Sequence, residues 1–96
     1  MLKYETMFIL RPELENEAYD TLVEKFKGII EAQKGEVTNV NRMGRRKLAY
    51  EVMKKFREGY YVLFNYSAEA GVTAELERNF KISDDVIRYL IVKEGE

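Results

Sequence analysis

The sequence predicts an α+β domain of the ferredoxin-like, split βαβ kind: a four-stranded antiparallel sheet with two helices on one face. The hydrophobic period switches between 2 and 3.6 residues along the chain in the order β-α-β-β-α-β. Ninety-six residues, 46% of them hydrophobic and only one a proline, suit a single domain (1–96) with a real core. Right-handed crossovers place both helices on the same side of the sheet. The first and third strands then lie at the centre, and the second and fourth at the edges.

Residues 2–10 alternate as a strand, with Leu2, Tyr4, Thr6, Phe8 and Leu10 on one face and Lys3, Glu5, Met7 and Ile9 on the other. Pro12 ends it, because proline cannot donate to a sheet ladder. Over 13–33, Leu14, Ala18, Leu22, Phe26 and Ile29/Ile30 recur at helical steps. Glu13, Glu15 and Glu17 crowd the start, where the helix dipole favours anions. Gly35 is a natural stop. Residues 36–53 read as a long strand. Val37 and Val40 differ in parity, so it twists or bulges early, and Gly44 points to the same. From Arg45 on, Leu48, Tyr50 and Val52 share one face and Arg45, Lys47, Ala49 and Glu51 the other. A turn is expected over 54–59 and a strand over 60–67, with Tyr60, Val62, Phe64 and Tyr66 together. Val72, Leu76 and Phe80 predict a helix over 69–81, and residues 85–93 a closing strand.

Composition removes much chemistry. Without cysteine or histidine there is no disulfide, thiol nucleophile or imidazole base, and most zinc, haem and iron–sulfur sites are excluded. Asp84-Asp85 reads as a turn pair rather than a general acid–base couple. The three early glutamates read as solvated, dipole-favoured acids rather than metal ligands. Neither GxxxxGK[ST] nor GxGxxG occurs. No enzyme activity, metal or cofactor is expected. The absence of a roughly 20-residue apolar run, or of a basic-then-apolar start, predicts a cytoplasmic chain with no membrane partner.

Net charge is −1, but the charge is segregated: residues 36–60 hold seven basic and three acidic residues. Arg42, Arg45, Arg46 and Lys47 fall within six positions of an edge strand. Two readings stand. Guanidinium forks match phosphate, and charged edges also block sheet-to-sheet aggregation. The face away from the helices should carry Met7, Ile9, Tyr61, Leu63, Leu90 and Val92, an apolar patch of the sort that marks an interaction surface. RNA-recognition motifs share the topology and stack bases on sheet-face aromatics. Here the first strand offers Met7 and Ile9 instead, which argues against a single-strand platform.

Three stretches of the chain resemble a known family. Lys3-Tyr4-Glu5-Thr6-Met7-Phe8-Ile9-Leu10-Arg11-Pro12, then Gly44-Arg45-Arg46-Lys47-Leu48-Ala49-Tyr50-Glu51-Val52, then Glu58-Gly59-Tyr60-Tyr61, are similar to the sixth small-subunit ribosomal protein of bacteria. The likeness runs as far as Ile91-Val92-Lys93. It implies the same fold and a non-catalytic place in the small (30S) subunit. Members bind the central domain of 16S ribosomal RNA as a heterodimer with the eighteenth small-subunit protein. Carried onto this sequence, the implied RNA-facing residues are Arg42, Arg45, Arg46 and Lys47 on the basic second strand, with Lys3, Tyr4, Arg88 and Lys93 near the ends of strands one and four. Met7, Ile9, Tyr61, Leu63 and Leu90 are the expected protein-partner surface.

One small basic patch on a chain near neutrality predicts weak RNA binding alone and cooperative binding beside a basic partner. Two rivals share the topology. An acylphosphatase-type enzyme needs an anion-cradling loop after the first strand, where this chain has acidic Leu10-Arg11-Pro12-Glu13-Leu14-Glu15 without glycine. An oligomerising ligand-sensing module would self-associate, whereas an isolated monomer is expected here.

Overall fold

The computed structural model describes residues 1–52 and 56–94, together with the side chains of all of these except residues 49–52. The elements are β1 (Leu2–Leu10), α1 (Asn16–Ala32), β2 (Glu36–Val52), β3 (Phe56–Ala68), α2 (Gly71–Ile82) and β4 (Val86–Lys93). They form one antiparallel sheet in the order β2-β3-β1-β4. The ferredoxin-like topology, with β1 and β3 central, is the one the periodicity predicts.

The sheet is best read in rows, since Cα partners on antiparallel strands project to the same face. Val40, Phe64, Thr6 and Ile91 make one helix-side row, and Arg42, Val62, Phe8 and Tyr89 the next. Onto these rows α1 delivers Tyr19, Leu22, Val23, Phe26 and Ile30, and α2 delivers Val72, Leu76 and Phe80. Phe8 sits at the centre, fully buried, with ring centroids of Phe26, Phe64 and Phe80 at 5.3, 5.1 and 5.1 Å. Such offset and edge-on contacts add to simple area burial. Apart from tyrosine hydroxyls, Thr6 is the buried polar side chain among the described residues, and the Tyr66 hydroxyl satisfies it at 2.8 Å. Burial pushes the Tyr66 phenol pKa up, with the Thr6 hydrogen bond opposing it.

Several element boundaries differ from the sequence expectation. Helix α1 begins at Asn16, not at residue 13. Pro12 and Glu13 form a turn held by the Arg11–Glu13 ion pair, and Glu15 is the extended N-cap whose carbonyl accepts from Ala18 and Tyr19. At the other end the left-handed residue is Lys34 (φ 67), not Gly35. Gly35 is needed for closeness: a Cβ there would stand 2.6 Å from the Ile30 Cγ2. The expected bulges in β2 occur, between Val37 and Asn39 and between Arg42 and Gly44, the latter with Gly44 at φ 85.

The largest difference is the expected turn over 54–59. Lys54 and Lys55 lie outside the described residues, as does Met53, but Phe56–Gly59 are strand. Phe56 is what extends it. It packs with Ile9 and Ile87 in a second apolar cluster on the face away from the helices. Gly59 lets the strand pass over Ile9, where a Cβ would stand 2.1 Å from the Ile9 Cγ2.

Candidate nucleic-acid and partner interface

Strand β2 is an edge, paired only with β3. Beyond the Gly44 bulge, Arg45 stands opposite Tyr60, Arg46 opposite Gly59 and Lys47 opposite Glu58. All three are exposed, and no ion pair or hydrogen bond to another described side chain engages them. The two-residue period sends Arg46 to one face and Arg45 and Lys47 to the other. A long cation on an edge strand can swing past the rim from either face, so a polyanion approaching edge-on meets all three charges.

Arg42 differs from the other three. Its partner Val62 is fully buried, so its side chain leaves β2 on the helix side. The Arg42 Nη1 donates to the Asp20 carboxylate of α1, and its Nε donates to the Tyr60 hydroxyl at 2.9 Å. The same guanidinium lies 5.7 Å from the Tyr60 ring centroid. Asp20 first, then the Tyr60 hydroxyl, raises the already high Arg42 pKa. Part of the expected basic cluster is thus an intramolecular clamp.

The remaining implied RNA contacts do not converge on this edge. Arg88 stands opposite Ile9 on β4, across the full width of the sheet from Gly44. Three strand spacings separate them, about 14 Å. Lys93 is partnered with Tyr4, and Lys3 with Ser67, at the opposite end of β1 from the Arg45 row. The six residue steps from Tyr4 to Leu10 put those two ends roughly 20 Å apart. Tyr4 needs correction as a contact residue: only 7% exposed, its ring stacks on Tyr66 at 5.6 Å in the core. Its parity with Phe8 already placed it on the buried face.

Three rows of the helix-free face span all four strands. Asn39, Asn65, Glu5 and Val92 form a polar end, where Asn39 donates to Asn65 and Asn65 donates to Glu94 and Glu5. The middle row is Asn41, Leu63, Met7 and Leu90, apolar on three strands. Leu90 is 62% exposed, with Leu63 and Met7 half-buried. The third row is Gly44, Tyr61, Ile9 and Arg88. Met7 and Ile9 line a shallow depression with Arg88, Tyr89 and Leu90. Ile9 needs correction as an open contact. It lies on the expected face but is buried under Phe56 and Ile87, with Tyr61 packed against that cluster. Sequence reading missed this cluster because Ile87 occupies an irregularity in the β1–β4 register, where simple alternation fails. It missed the Asp20 clamp because the two residues are 22 positions apart.

The chain is similar over nearly its whole length to known proteins of one family. The family model described as ribosomal protein S6 matches residues 3–93. The small ribosomal subunit protein bS6 of Carboxydothermus hydrogenoformans is 50% identical over 94 residues, covering 98% of this chain and 97% of that protein. The bS6 protein of Clostridium botulinum is 55% identical over 92 residues, covering 96% and 97%. A crystal structure of 30S ribosomal protein S6 from Thermotoga maritima superposes with a TM-score of 0.90 at 38% identity, covering 97% of this chain and 87% of that one.

Proposed function

The chain belongs to the ribosomal protein S6 family of the small subunit, a non-enzymatic family, and from that premise we propose that it binds the central domain of 16S ribosomal RNA cooperatively with the eighteenth small-subunit protein. It works in the ribosome of the bacterial cytoplasm and is a monomer when isolated. The observation that carries the reading is a juxtaposition. Three unengaged cations, Arg45, Arg46 and Lys47, border a sheet whose other open surface is an apolar row through Leu63, Met7 and Leu90. The cations neutralise phosphates and release counterions, a term that falls with salt. The apolar row suits a protein partner, because exposed apolar area on a small domain is otherwise a liability. Lys3, Lys93 and Arg88 serve as outlying contacts.

The division of labour follows from charge. Outside residues 36–60 the chain is net acidic, so RNA repels much of its surface. A basic partner on the apolar row would supply the missing positive potential, and this domain would supply a rigid platform. The test is titration of a central-domain 16S fragment with this protein alone and with an equimolar amount of the eighteenth protein. The joint titration is expected to show at least a tenfold tighter apparent Kd, about 1.4 kcal/mol of coupling. Equal affinities would refute the cooperative reading.

A further inference from the structure

We infer that Arg42 is a positioning residue, a brace that ties the bulged edge strand to helix α1 and so sets the posture of Arg45–Lys47, rather than a phosphate contact itself. The inference rests on the RNA-binding reading above and refines it.

The brace is a continuous chain of contacts. From β2, Arg42 reaches over the helix side to the Asp20 carboxylate and to the Tyr60 hydroxyl. Tyr60 in turn stacks on Tyr19 of α1, with centroids 3.8 Å apart and planes 12° apart. Tyr19 is 1% exposed, and its hydroxyl donates to the Arg11 backbone carbonyl at 2.6 Å. Helix α1, the start of β3, the end of β1 and the edge of β2 therefore meet in one stack.

Its location gives it leverage. Arg42 is the last paired residue before the bulge that ends at Gly44, where the register shifts and the backbone takes a left-handed turn. Tyr60, the other pole of the brace, is the residue directly opposite Arg45. The edge strand is thus pinned on both sides of the point where its direction changes. Bulges re-aim the side chains that follow them, and here those are the free cations. The Asp20 carboxylate also opposes the approach of a phosphate to Arg42, since like charges at contact distance repel.

The two roles make opposite predictions for Asp20. We would measure affinity for the central-domain fragment, with the eighteenth protein present, as a function of salt for Arg42→Ala, Arg42→Lys, Asp20→Ala and the Arg42→Ala/Asp20→Ala pair. All would be compared at a temperature where each is folded. The brace predicts that both alanine singles weaken binding about two- to five-fold, the range of a partly exposed ion pair, with the salt slope intact. The double variant should be no weaker than the worse single. Lysine should not rescue, because it lacks the fork that holds Tyr60 and Asp20 together.

A phosphate contact predicts instead that Arg42→Ala lowers the slope by about one, while Asp20→Ala leaves or improves binding; that result overturns the proposal. Unchanged affinity in all variants overturns it too. A urea-unfolding cycle on the free protein checks the brace without RNA: strict additivity of Arg42→Ala and Asp20→Ala would refute it. Failure of the unmodified protein to bind RNA would sink the functional reading while this cycle still decided the brace.

Discussion

Replacing Arg45, Arg46 and Lys47 together by alanine is expected to take away most of the salt-sensitive part of RNA binding while leaving the domain folded. Each cation that neutralises a phosphate contributes roughly 0.7–0.9 to the slope of log affinity against log salt. Loss of three lowers the slope by about 2–3. The advantage of the unmodified protein over the variant should then shrink roughly 20- to 40-fold between about 50 and 200 mM salt. Stability should move little, because all three are exposed and unpaired among the described residues, and such surface changes usually stay within about 0.5 kcal/mol. The expected readout is filter binding across a salt series beside urea melts. An unchanged slope would mean that the cations only protect the edge. Increased self-association of the variant would then be the accompanying sign.

Phe8→Ala carries the largest expected effect on the fold. Phe8 lies on the central strand β1 and touches aromatic rings from α1, β3 and α2 at once. Truncation loses its transfer free energy and leaves a cavity that three large rings cannot fill, a cost of about 3–5 kcal/mol. Small domains have only about 5–15 kcal/mol in total. The variant should therefore be partly unfolded at 37 °C and lose RNA binding in proportion. Phe8→Leu, which keeps much of the volume, should recover most of the loss. A urea midpoint for Phe8→Ala close to that of the unmodified protein would mean that the core relaxes far more than close packing allows.

How much of this was readable in advance depends on the range of the interaction. Period-two alternation in β1 and β3 put Phe8, Val62, Phe64 and Tyr66 on the covered face, where they are. The parity break between Val37 and Val40 and the glycine at 44 marked both bulges of β2. These are local signals, written within a few residues. The start of β3 was not legible. Lys54-Lys55-Phe56-Arg57-Glu58-Gly59 has turn-like composition, and only the distant Ile9 and Ile87 give Phe56 a reason to be buried strand. The candidate site divides the same way. Charge density picked out the edge, but it could not separate Arg42 from Arg45. Only the register, which places Arg42 beside buried Val62 and within reach of Asp20, does that. Nor could it show that Lys3 and Lys93 stand at the far end of the sheet from Arg45.

The free cations of β2 and the apolar row of the helix-free face should both be occupied when the protein is in place. Side-chain footprinting tests it most directly, comparing the free protein with the assembled small subunit. Hydroxyl radicals report Met7, Leu63 and Leu90, and lysine acylation reports Lys47. Ile82, 64% exposed at the end of α2, serves as the reference. Strong protection of Met7, Leu63, Leu90 and Lys47 is expected on assembly, with Ile82 unchanged. If these four react in the particle as they do in the free protein, the docking surfaces lie elsewhere and the account is wrong.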